Sequence, residues 1–511
     1  MTPLVGFGAI AVYAWLTPPV SGLGDGPEFT VGLATAGLVH PPGYPLYLLA
    51  GHPFVRSLHA LGASWAWASN LWSGVGAALA VALTFAVARR LVSVDRRAEG
   101  LALLAALLPA ALLAFNPVLS REAVEAEVNS WALAWTMGIV LCFVALMLRV
   151  EEGSAPRSTE AMGWGVVCGI GLAHHPMSVL VAVPLTAALG VSLARRGWLG
   201  PRLGLAALAG AMVPLAAYAW VGWRAAHPAP GQWRDIAPTW QSVWHHVTAA
   251  RYRMYVGSFA PDLESRRLLA VGVYPYLLPG ILLLVAAYGR AVRSPERRLL
   301  WLGLFAAAVA PALGARAYGV PDPAPYFLPA VGISLLGLAP LAGVLLRRGL
   351  PGAALLGTGL AAAMGLAWNE AFEARARYRD VEHFDRQVRD LWSQVPQDRV
   401  IVLWHADQVS RLVEYQVLRG ERSAAWVGTP DWLLDPVVRG ELRRRYGADP
   451  VAHLTVPRVS PRDPHAERIR MEFFEEAAFR LASEAGVPVY WFDPTVPLLR
   501  RVPQMGSATY P

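Results

Sequence analysis

The sequence predicts a polytopic α-helical membrane protein that ends in a small α/β domain. Of its 511 residues, 55% are hydrophobic and 16% are charged, whereas soluble domains carry about 25% charged residues. The apolar residues concentrate in runs of about 20, the length that a helix needs to cross a bilayer. Residues after 368 lack such runs and alternate between short apolar and helical patterns.

The basic residues indicate membrane topology rather than nucleic-acid binding. The net charge is +8, the chain contains no lysine, and its arginines lie in short clusters between apolar runs. We therefore expect no nucleic-acid partner. Cys142 and Cys168 both lie in apolar runs, so neither a disulfide framework nor a thiolate metal site is predicted.

Most apolar runs predict single membrane spans, and one predicts two. Residues 163–194 are too many for one span and are broken by His174-His175-Pro176, so we expect two short helices joined as a hairpin. Counting this pair, the bundle has about eleven transmembrane helices. The single spans are near residues 3–20, 65–88, 100–118, 129–148, 203–223, 267–289, 299–314, 326–346 and 351–368.

Arginine clusters indicate which loops face the cytoplasm. They lie near residues 89–97, 149–157, 195–202, 290–298 and 347–348. All of them fall on one side only if residues 163–194 cross the membrane twice. The N-terminus is then cytoplasmic, and the polar loops and the C-terminal domain are extracytoplasmic. The loops on that face are 21–64, 119–128, the His174-His175 tip, 224–266 and 315–325.

Residues 369–511 predict an extracytoplasmic α/β domain after a transmembrane domain of residues 1–368. A charged amphipathic helix is expected from Asn369 to Val395, and alternating strand and helix patterns then favour a largely parallel sheet. The domain has no Gly-rich phosphate loop, so we expect acceptor docking or a structural role. The predicted strands are 400–404, 424–428, 451–456 and 488–493, and the predicted helices are 407–419, 431–446 and 465–485.

The loop of residues 21–64 carries the strongest candidate site. Asp25 and Glu28 follow the first span, and His40 and Tyr44 flank a Pro-Pro-Gly turn. Two carboxylates beside a membrane span are costly to place without a use, because the bilayer penalises charge. One interpretation is a helix N-cap pair, because the acids are three residues apart. The other is a reactive centre on the outer face.

Further polar residues are expected on the same face. Glu127 sits at the mouth of a span, where it either serves the site or pairs with Arg121. The adjacent histidines His174 and His175 suit sugar or phosphate contact better than metal ligation, because neighbours on a helix point in different directions. Four more candidates for binding are Arg234, Asp235, Asp322 and Tyr326.

Several motifs occur in the order found in one family. They are GDGPEF (24–29), HPPGYPLY (40–47), AEVNSWAL (126–133), GIGLAHHPMSVL (169–180), WRDIAPTWQSVWHHVTAARYR (233–253) and PDPAPYFLP (321–329). In these segments the chain resembles the bacterial protein O-mannosyltransferase-like family of the GT-C glycosyltransferase superfamily. One departure is Gly26-Pro27, where the family usually has Ser-Gly between its two acids.

The resemblance implies a GT-C-like bundle in the bacterial inner membrane. It implies transfer of a hexose, mannose-like, from a polyprenyl-phosphate-linked donor to a hydroxyl of a protein, glycan or lipid acceptor on the extracytoplasmic face. A hydroxyl needs a base to take its proton, and we expect Asp25 to be that base, with Glu28 as the alternative. A single displacement inverts the anomeric configuration.

Three alternatives stay open from the sequence, and one of them is a catalytically silent scaffold that holds the outer domain. No cofactor is firmly implied. If the protein is an enzyme, one alternative is a divalent metal held by residues such as Glu127, His174 or Asp235. A transporter or flippase of lipid-linked sugar precursors is the alternative from another class. Transporters commonly contain internal repeats, and none is evident in this chain.

Overall fold

The computed structural model describes residues 1–92, 99–257, 259–292, 294–404, 409–452, 454–457, 465–495 and 498–504. Arg96, Arg97 and Arg293 of the predicted cytoplasmic clusters, and residues 407, 408 and 453 of predicted elements, lie outside these ranges. The helices up to residue 392 are α1 (Thr2–Leu16), α2 (Gly26–Thr35), α3 (Pro45–Ala60), α4 (Trp65–Leu91), α5 (Glu99–Ala114), α6 (Pro117–Glu122), α7 (Asn129–Glu151), α8 (Ser158–His174), α9 (Val179–Arg195), α10 (Pro201–Leu215), α11 (Tyr218–Ala226), α12 (Trp240–Val247), α13 (Leu263–Leu268), α14 (Tyr274–Arg290), α15 (Pro295–Arg316), α16 (Leu328–Leu335), α17 (Leu338–Leu346) and α18 (Leu350–Trp392).

Every predicted apolar segment is mainly helical, although the first helix ends at Leu16 and not at residue 20. Within the described ranges, eight helical stretches are long and apolar enough to cross a membrane, and Thr2–Leu16 and Ala102–Ala114 are shorter apolar helices. The protein is therefore a multi-pass, mostly helical membrane protein, as predicted. The count of eleven spans stays a prediction.

The segment of residues 163–194 forms two helices, as predicted, but the two diverge. α8 ends at His174, a short 3-10 turn of Pro176–Ser178 follows, and α9 begins at Val179. α8 packs along α10, whereas α9 packs against α15. Gly165 and Gly169 of α8 lie directly against the backbone of α10, which leaves no room for a side chain. Small residues of this kind let membrane helices approach closely.

Helices α4 and α7 form the centre of the bundle below the site. The ring of Trp131 lies over Gly76, where a Cβ would be 2.7 Å from the ring. The same indole donates a hydrogen bond to the backbone carbonyl of Trp72 at 2.8 Å. Ser130 donates to the carbonyl of Ser73 at 2.8 Å. This close packing fixes the end of α7 that follows Glu127.

The last span and the predicted amphipathic helix are one helix, α18, of 43 residues. It runs from the apolar bundle into the charged C-terminal region without a break, so residue 368 lies inside it. The division into domains 1–368 and 369–511 stays a prediction.

The C-terminal region contains a four-stranded sheet. Its elements are β1 (Ile401–Leu403), α19 (Val409–Arg419), β2 (Trp426–Gly428), α20 (Pro436–Tyr446), α21 (Ala466–Glu484), β3 (Val489–Asp493) and β4 (Leu498–Arg501). The strand order is β2-β1-β3-β4. β1 pairs in parallel with β2 and β3, and only β4 is antiparallel. The predicted, largely parallel sheet is therefore present.

The predicted strand at 451–456 is wrong for the described residues of that segment. Residues 451–452 and 454–457 are not in a strand. Asp449 accepts hydrogen bonds from Arg439 and Arg443, and Leu454 N–H donates to the Val451 carbonyl. Residues 451–452 form a turn instead, while Val451 packs into the core of the C-terminal region. α19 packs against α2, so this region lies over the loop of residues 21–64.

Candidate active site

Asp25 immediately precedes α2, but its side chain does not cap that helix. Gly26 and Pro27 form the first turn, where the missing N–H of proline costs nothing because it would be unpaired in any case. The Asp25 side chain makes no cap hydrogen bond, and 47% of it is exposed. The departure at Gly26-Pro27 is therefore compatible with a regular helix start, and the carboxylate lies beside the positive end of α2 without capping it.

Glu28 is buried and engaged by His40. The backbone N–H of His40 donates to Glu28 Oε1 at 2.5 Å, and the ring Nδ1 lies 3.4 Å from Oε2. The same Nδ1 lies 3.9 Å from Asp25 Oδ2. Both oxygens of Glu28 therefore face His40, whereas Asp25 is held only at the edge of the cluster.

The charges of this cluster shift its proton affinities. Burial raises the pKa of the Glu28 carboxyl. Burial by itself would lower the pKa of His40, but the negative charges of Asp25 and Glu28 outweigh it and raise that pKa to about 9. His40 is consequently an imidazolium at neutral pH that donates to Glu28.

Aromatic rings from four segments surround this cluster. The Tyr44 hydroxyl lies 3.4 Å from His40 Nε2. The His175 ring stacks on Tyr44 with centroids 6.0 Å apart, and Tyr326 is 6.0 Å from His175. Tyr252 closes the other side, 6.1 Å from His40. The predicted residues His40, Tyr44, His175 and Tyr326 are thus brought together beside Asp25.

Glu127 also faces this space. Burial raises its pKa well above the usual value for glutamate, and the charge of Asp25 adds to the effect. The ion pair with Arg121 that the sequence left open does not form between these two described residues. Arg121 instead donates to Glu264 at 2.9 Å and lies 3.7 Å from Asp322. Asp322 also accepts from the Ser265 hydroxyl at 2.7 Å, away from the His40 cluster.

His174 points away from its neighbour His175. Its Nε2 lies 3.1 Å from the carbonyl oxygen of Val128, and its ring packs on Tyr47. This contact ties the tip between α8 and α9 to the start of α7. The adjacent histidines therefore do not converge on one ligand.

Arg234 and Asp235 turn in different directions. The Arg234 guanidinium lies over the rings of Trp426 and Trp432, 5.3 and 5.7 Å from their centroids. Asp235 accepts from Arg251 at 2.7 Å, and its charge helps to raise the pKa of His40. Arg234 thus connects the loop to the C-terminal region, whereas Asp235 belongs to the His40 side.

A small cleft opens next to Glu28. One wall comes from the loop of residues 231–234, and the other comes from α19 and Trp432 of the C-terminal region. The rings of Trp233 and Trp432 meet edge to face at 6.0 Å. The remaining lining residues are Val31, Ser410 and Val413.

Three residues of the site were missed in the sequence. Tyr252 was missed because it lies between two arginines, in a segment that resembles a basic cluster. Arg411 was missed because it lies on a helix of the C-terminal region, far from the site in sequence. His246 is buried, and its Nε2 is 3.1 Å from where a Cβ on Gly43 would be. The histidine pair HH (245–246) in the quoted loop motif was the only available signal for His246.

The donor atoms of Asp25, Glu28 and His40 lie within 4.8 Å of one another. Two carboxylates and an imidazole are a donor set that divalent transition metals accept. His40 must lose its proton before it can ligate a metal, and here that proton serves Glu28. The expectation that no metal is needed stays a prediction.

Comparisons with known proteins find similarity in one segment of the chain and in its fold. Residues 25–196 match the family model described as the protein O-mannosyl-transferase TMEM260 N-terminal domain. Two crystal structures of ArnT from Cupriavidus metallidurans, one bound to undecaprenyl phosphate and one apo, share the fold. Their TM-scores are 0.52 and 0.51, with 14% and 13% sequence identity. The matches cover 80% of this chain and 84% and 83% of those chains.

A comparison with curated proteins finds no match. At 14% identity the ArnT structures establish the fold, whereas the family match covers the segment that contains Asp25, Glu28, His40 and His175. Residues 25–196 are therefore similar to the protein O-mannosyl-transferase TMEM260 N-terminal domain, and the chain as a whole has the multi-pass helical fold of the ArnT structures.

Proposed function

We propose that this chain transfers a hexose, mannose-like, from a polyprenyl-phosphate-linked donor to the hydroxyl of a protein, glycan or lipid acceptor. The description of the family that matches residues 25–196 supports the sugar and the transfer. The ArnT structure bound to undecaprenyl phosphate, which shares this fold, supports the lipid carrier. The arginine clusters support a site on the extracytoplasmic face of a bacterial inner membrane, with a cytoplasmic N-terminus.

The half-exposed carboxylate of Asp25, which lies at the edge of the His40 cluster, is the single observation that carries the proposal. Glu28 has both oxygens directed at His40, so it is poorly placed to accept another proton. Asp25 is half-exposed and makes no cap hydrogen bond. Of the two acids, Asp25 is the one available to a substrate hydroxyl.

The proposed reaction is one displacement at the anomeric carbon. Asp25 takes the proton from the acceptor hydroxyl as its oxygen forms the new bond to that carbon. The bond from the anomeric carbon to the phosphate oxygen breaks, and its electron pair leaves with the polyprenyl phosphate. One general base of this kind contributes about 10²- to 10⁴-fold in rate. The configuration at the anomeric carbon inverts.

The residues around Asp25 then bind and orient the sugar and position the two acids. Protonated His40 fixes Glu28 through its backbone N–H and its ring. The rings of Tyr44, His175 and Tyr326 offer flat apolar faces and hydroxyl groups to the sugar. Glu127 borders the same space, and Asp322 stabilises the adjoining loop through Arg121 and Ser265.

The leaving phosphate needs fixed positive charge. Arg251 is 46% exposed beside Asp235, and arginine binds phosphate in a bidentate manner. We assign Arg251 to that phosphate. The cleft lined by Trp233, Arg234 and Trp432 is on the side of the C-terminal region, and we assign it to the acceptor.

Purified protein in nanodiscs, given a panel of radiolabelled polyprenyl-phosphate sugars, tests the proposal. Wild type is expected to release or transfer sugar from at least one donor, with and without EDTA. Asp25→Asn is expected to lose this activity. Asp380→Asn, on an exposed part of α18, is the matched control and should behave as wild type.

Other outcomes contradict specific parts of the proposal. Loss of turnover in EDTA would show that a metal is required. Full activity in Asp25→Asn would move the base to Glu28. Absence of turnover with every donor would contradict the transferase itself, and a lipid-flipping assay would then test the transporter alternative.

A further inference from the structure

We propose that Arg411 is a positioning residue for the catalytic loop, which it holds from the C-terminal region. It lies on α19, far from Asp25 in sequence, and its side chain is completely buried. Its role in catalysis rests on the proposed function of Asp25. Its contact with the loop can be measured without an activity assay.

The contact is made to backbone rather than to side chains. Arg411 Nη2 donates to the carbonyl oxygens of Ser21 at 2.8 Å and Gly22 at 2.5 Å. These residues precede Asp25 in a stretch that is neither helix nor strand. Carbonyl oxygens in such a stretch accept no hydrogen bond from a helix or sheet, and buried backbone groups need a hydrogen-bond partner. Arg411 supplies it.

The other side of the guanidinium is anchored to α18. Nη1 donates to Asp385 Oδ1 at 2.9 Å. Asp385 also accepts from the Tyr415 hydroxyl at 2.6 Å and from Arg389 Nε at 2.7 Å. The planar fork of arginine can bridge a carboxylate and two carbonyls at once, which the single ammonium of lysine cannot do equally well.

The loop is also held from the membrane side. At Gly22 a Cβ would lie 2.8 Å from Glu125 Cγ, so the chain passes close over that side chain. The Ser21 hydroxyl donates to Thr30 of α2 at 3.2 Å. Glu414, one turn after Arg411, is buried and also interacts with Ser21. Residues 21–22 are thus held between the helical bundle and α19. This contact fixes the position of Asp25, the residue that precedes α2.

Arg389 provides a matched control because it shares Asp385 with Arg411, whereas the hydrogen bonds to the described residues 21–22 come from Arg411. In Arg411→Met the Asp385 carboxylate keeps both Tyr415 and Arg389, whereas the buried Glu414 carboxyl loses the positive charge of Arg411. In Arg389→Met it keeps Tyr415 and Arg411. The two variants therefore disturb the same anchor but only one releases the loop.

Hydrogen–deuterium exchange of the full-length protein in nanodiscs measures the loop directly. In Arg411→Met, peptides covering residues 19–30 are expected to exchange at least about tenfold faster than in wild type. In Arg389→Met they should exchange as in wild type, and Arg411→Lys should give an intermediate rate. Equal protection in Arg411→Met and wild type, or equal loss in both methionine variants, would overturn the proposal.

Sugar transfer by the same samples tests the catalytic consequence. A displacement of the base by about 1 Å costs up to about 10²-fold, so kcat in Arg411→Met should fall about 10- to 100-fold. KM for the donor should change less than about twofold. An unchanged kcat together with faster exchange would overturn the positioning role. If wild type transfers no sugar from any donor, the proposed function fails, and the exchange rates still decide whether Arg411 holds the loop.

Discussion

The charged cluster of Asp25, Glu28 and His40 should make stability depend on pH in a predictable way. The pKa of His40 is raised from 6.5 to about 9 in the folded protein. A histidine whose pKa is higher in the folded than in the unfolded protein stabilises the fold at pH values below its unfolded pKa. This stabilisation is lost as the pH rises through its folded pKa. The window is therefore about pH 6.5 to 9, with the full effect on its acid side.

The size of the effect follows from that difference. About 2.5 pH units at 1.36 kcal/mol per unit correspond to about 3 kcal/mol at pH 6.5. For a chain of this length, 1 kcal/mol changes Tm by about 1 °C, so about 3 °C is expected. His40→Gln removes the titrating group and should lower Tm by about that amount at pH 6.5, and by much less at pH 9.5.

Thermal unfolding in detergent, followed by fluorescence size-exclusion from pH 6 to 10, measures this difference. His383→Gln is the matched control, because His383 is an exposed histidine on α18, and it should follow wild type at every pH. Parallel Tm curves for wild type and His40→Gln across the window would refute the assignment of a stabilising imidazolium to this cluster.

Two further substitutions test the surroundings of the site. Gly43 has φ of +87°, and a Cβ there would lie only 3.1 Å from His246 Nε2, so Gly43→Ala should cost about 1–3 kcal/mol in stability. Gly62→Ala, at φ of +101° in open space, should lower Tm less, and an equal loss would show that the His246 contact is unimportant. Trp432→Ala should raise KM for the acceptor about tenfold while KM for the donor is unchanged, and a change in the donor value alone would contradict the acceptor assignment. Trp368→Ala, on an 82% exposed side chain, should leave both unchanged.

Features that depend on local physics could be predicted from the sequence. Apolar runs must form helices in a bilayer because every backbone group needs a partner there, and each predicted run is mainly helical. The break at His174-His175-Pro176 correctly separates two helices. Asp25, Glu28, His40 and Tyr44 lie on one loop, and a Gly-Pro helix start and a tight turn bring them together.

Features that depend on distant contacts could not be predicted. Arg411 meets residues 21–22 only because α19 packs on α2, and no local pattern encodes that contact. Arg121 and Glu127 looked like a pair because they are close in sequence, but Glu264 and Asp322 reach Arg121 from other loops. β4 was missed because Leu498–Arg501 is a mostly exposed edge strand with two arginines, a composition that protects edges from aggregation.

The central claim is that Asp25, and not Glu28, takes the proton from the acceptor hydroxyl. Single-turnover transfer from a saturating donor, compared among wild type, Asp25→Asn and Glu28→Gln, tests it most directly. We expect Asp25→Asn to reduce the chemical rate by about 10²- to 10⁴-fold, and Glu28→Gln to reduce it less because that residue only positions its neighbours. A rate in Asp25→Asn close to wild type, with Glu28→Gln inactive, would contradict the account.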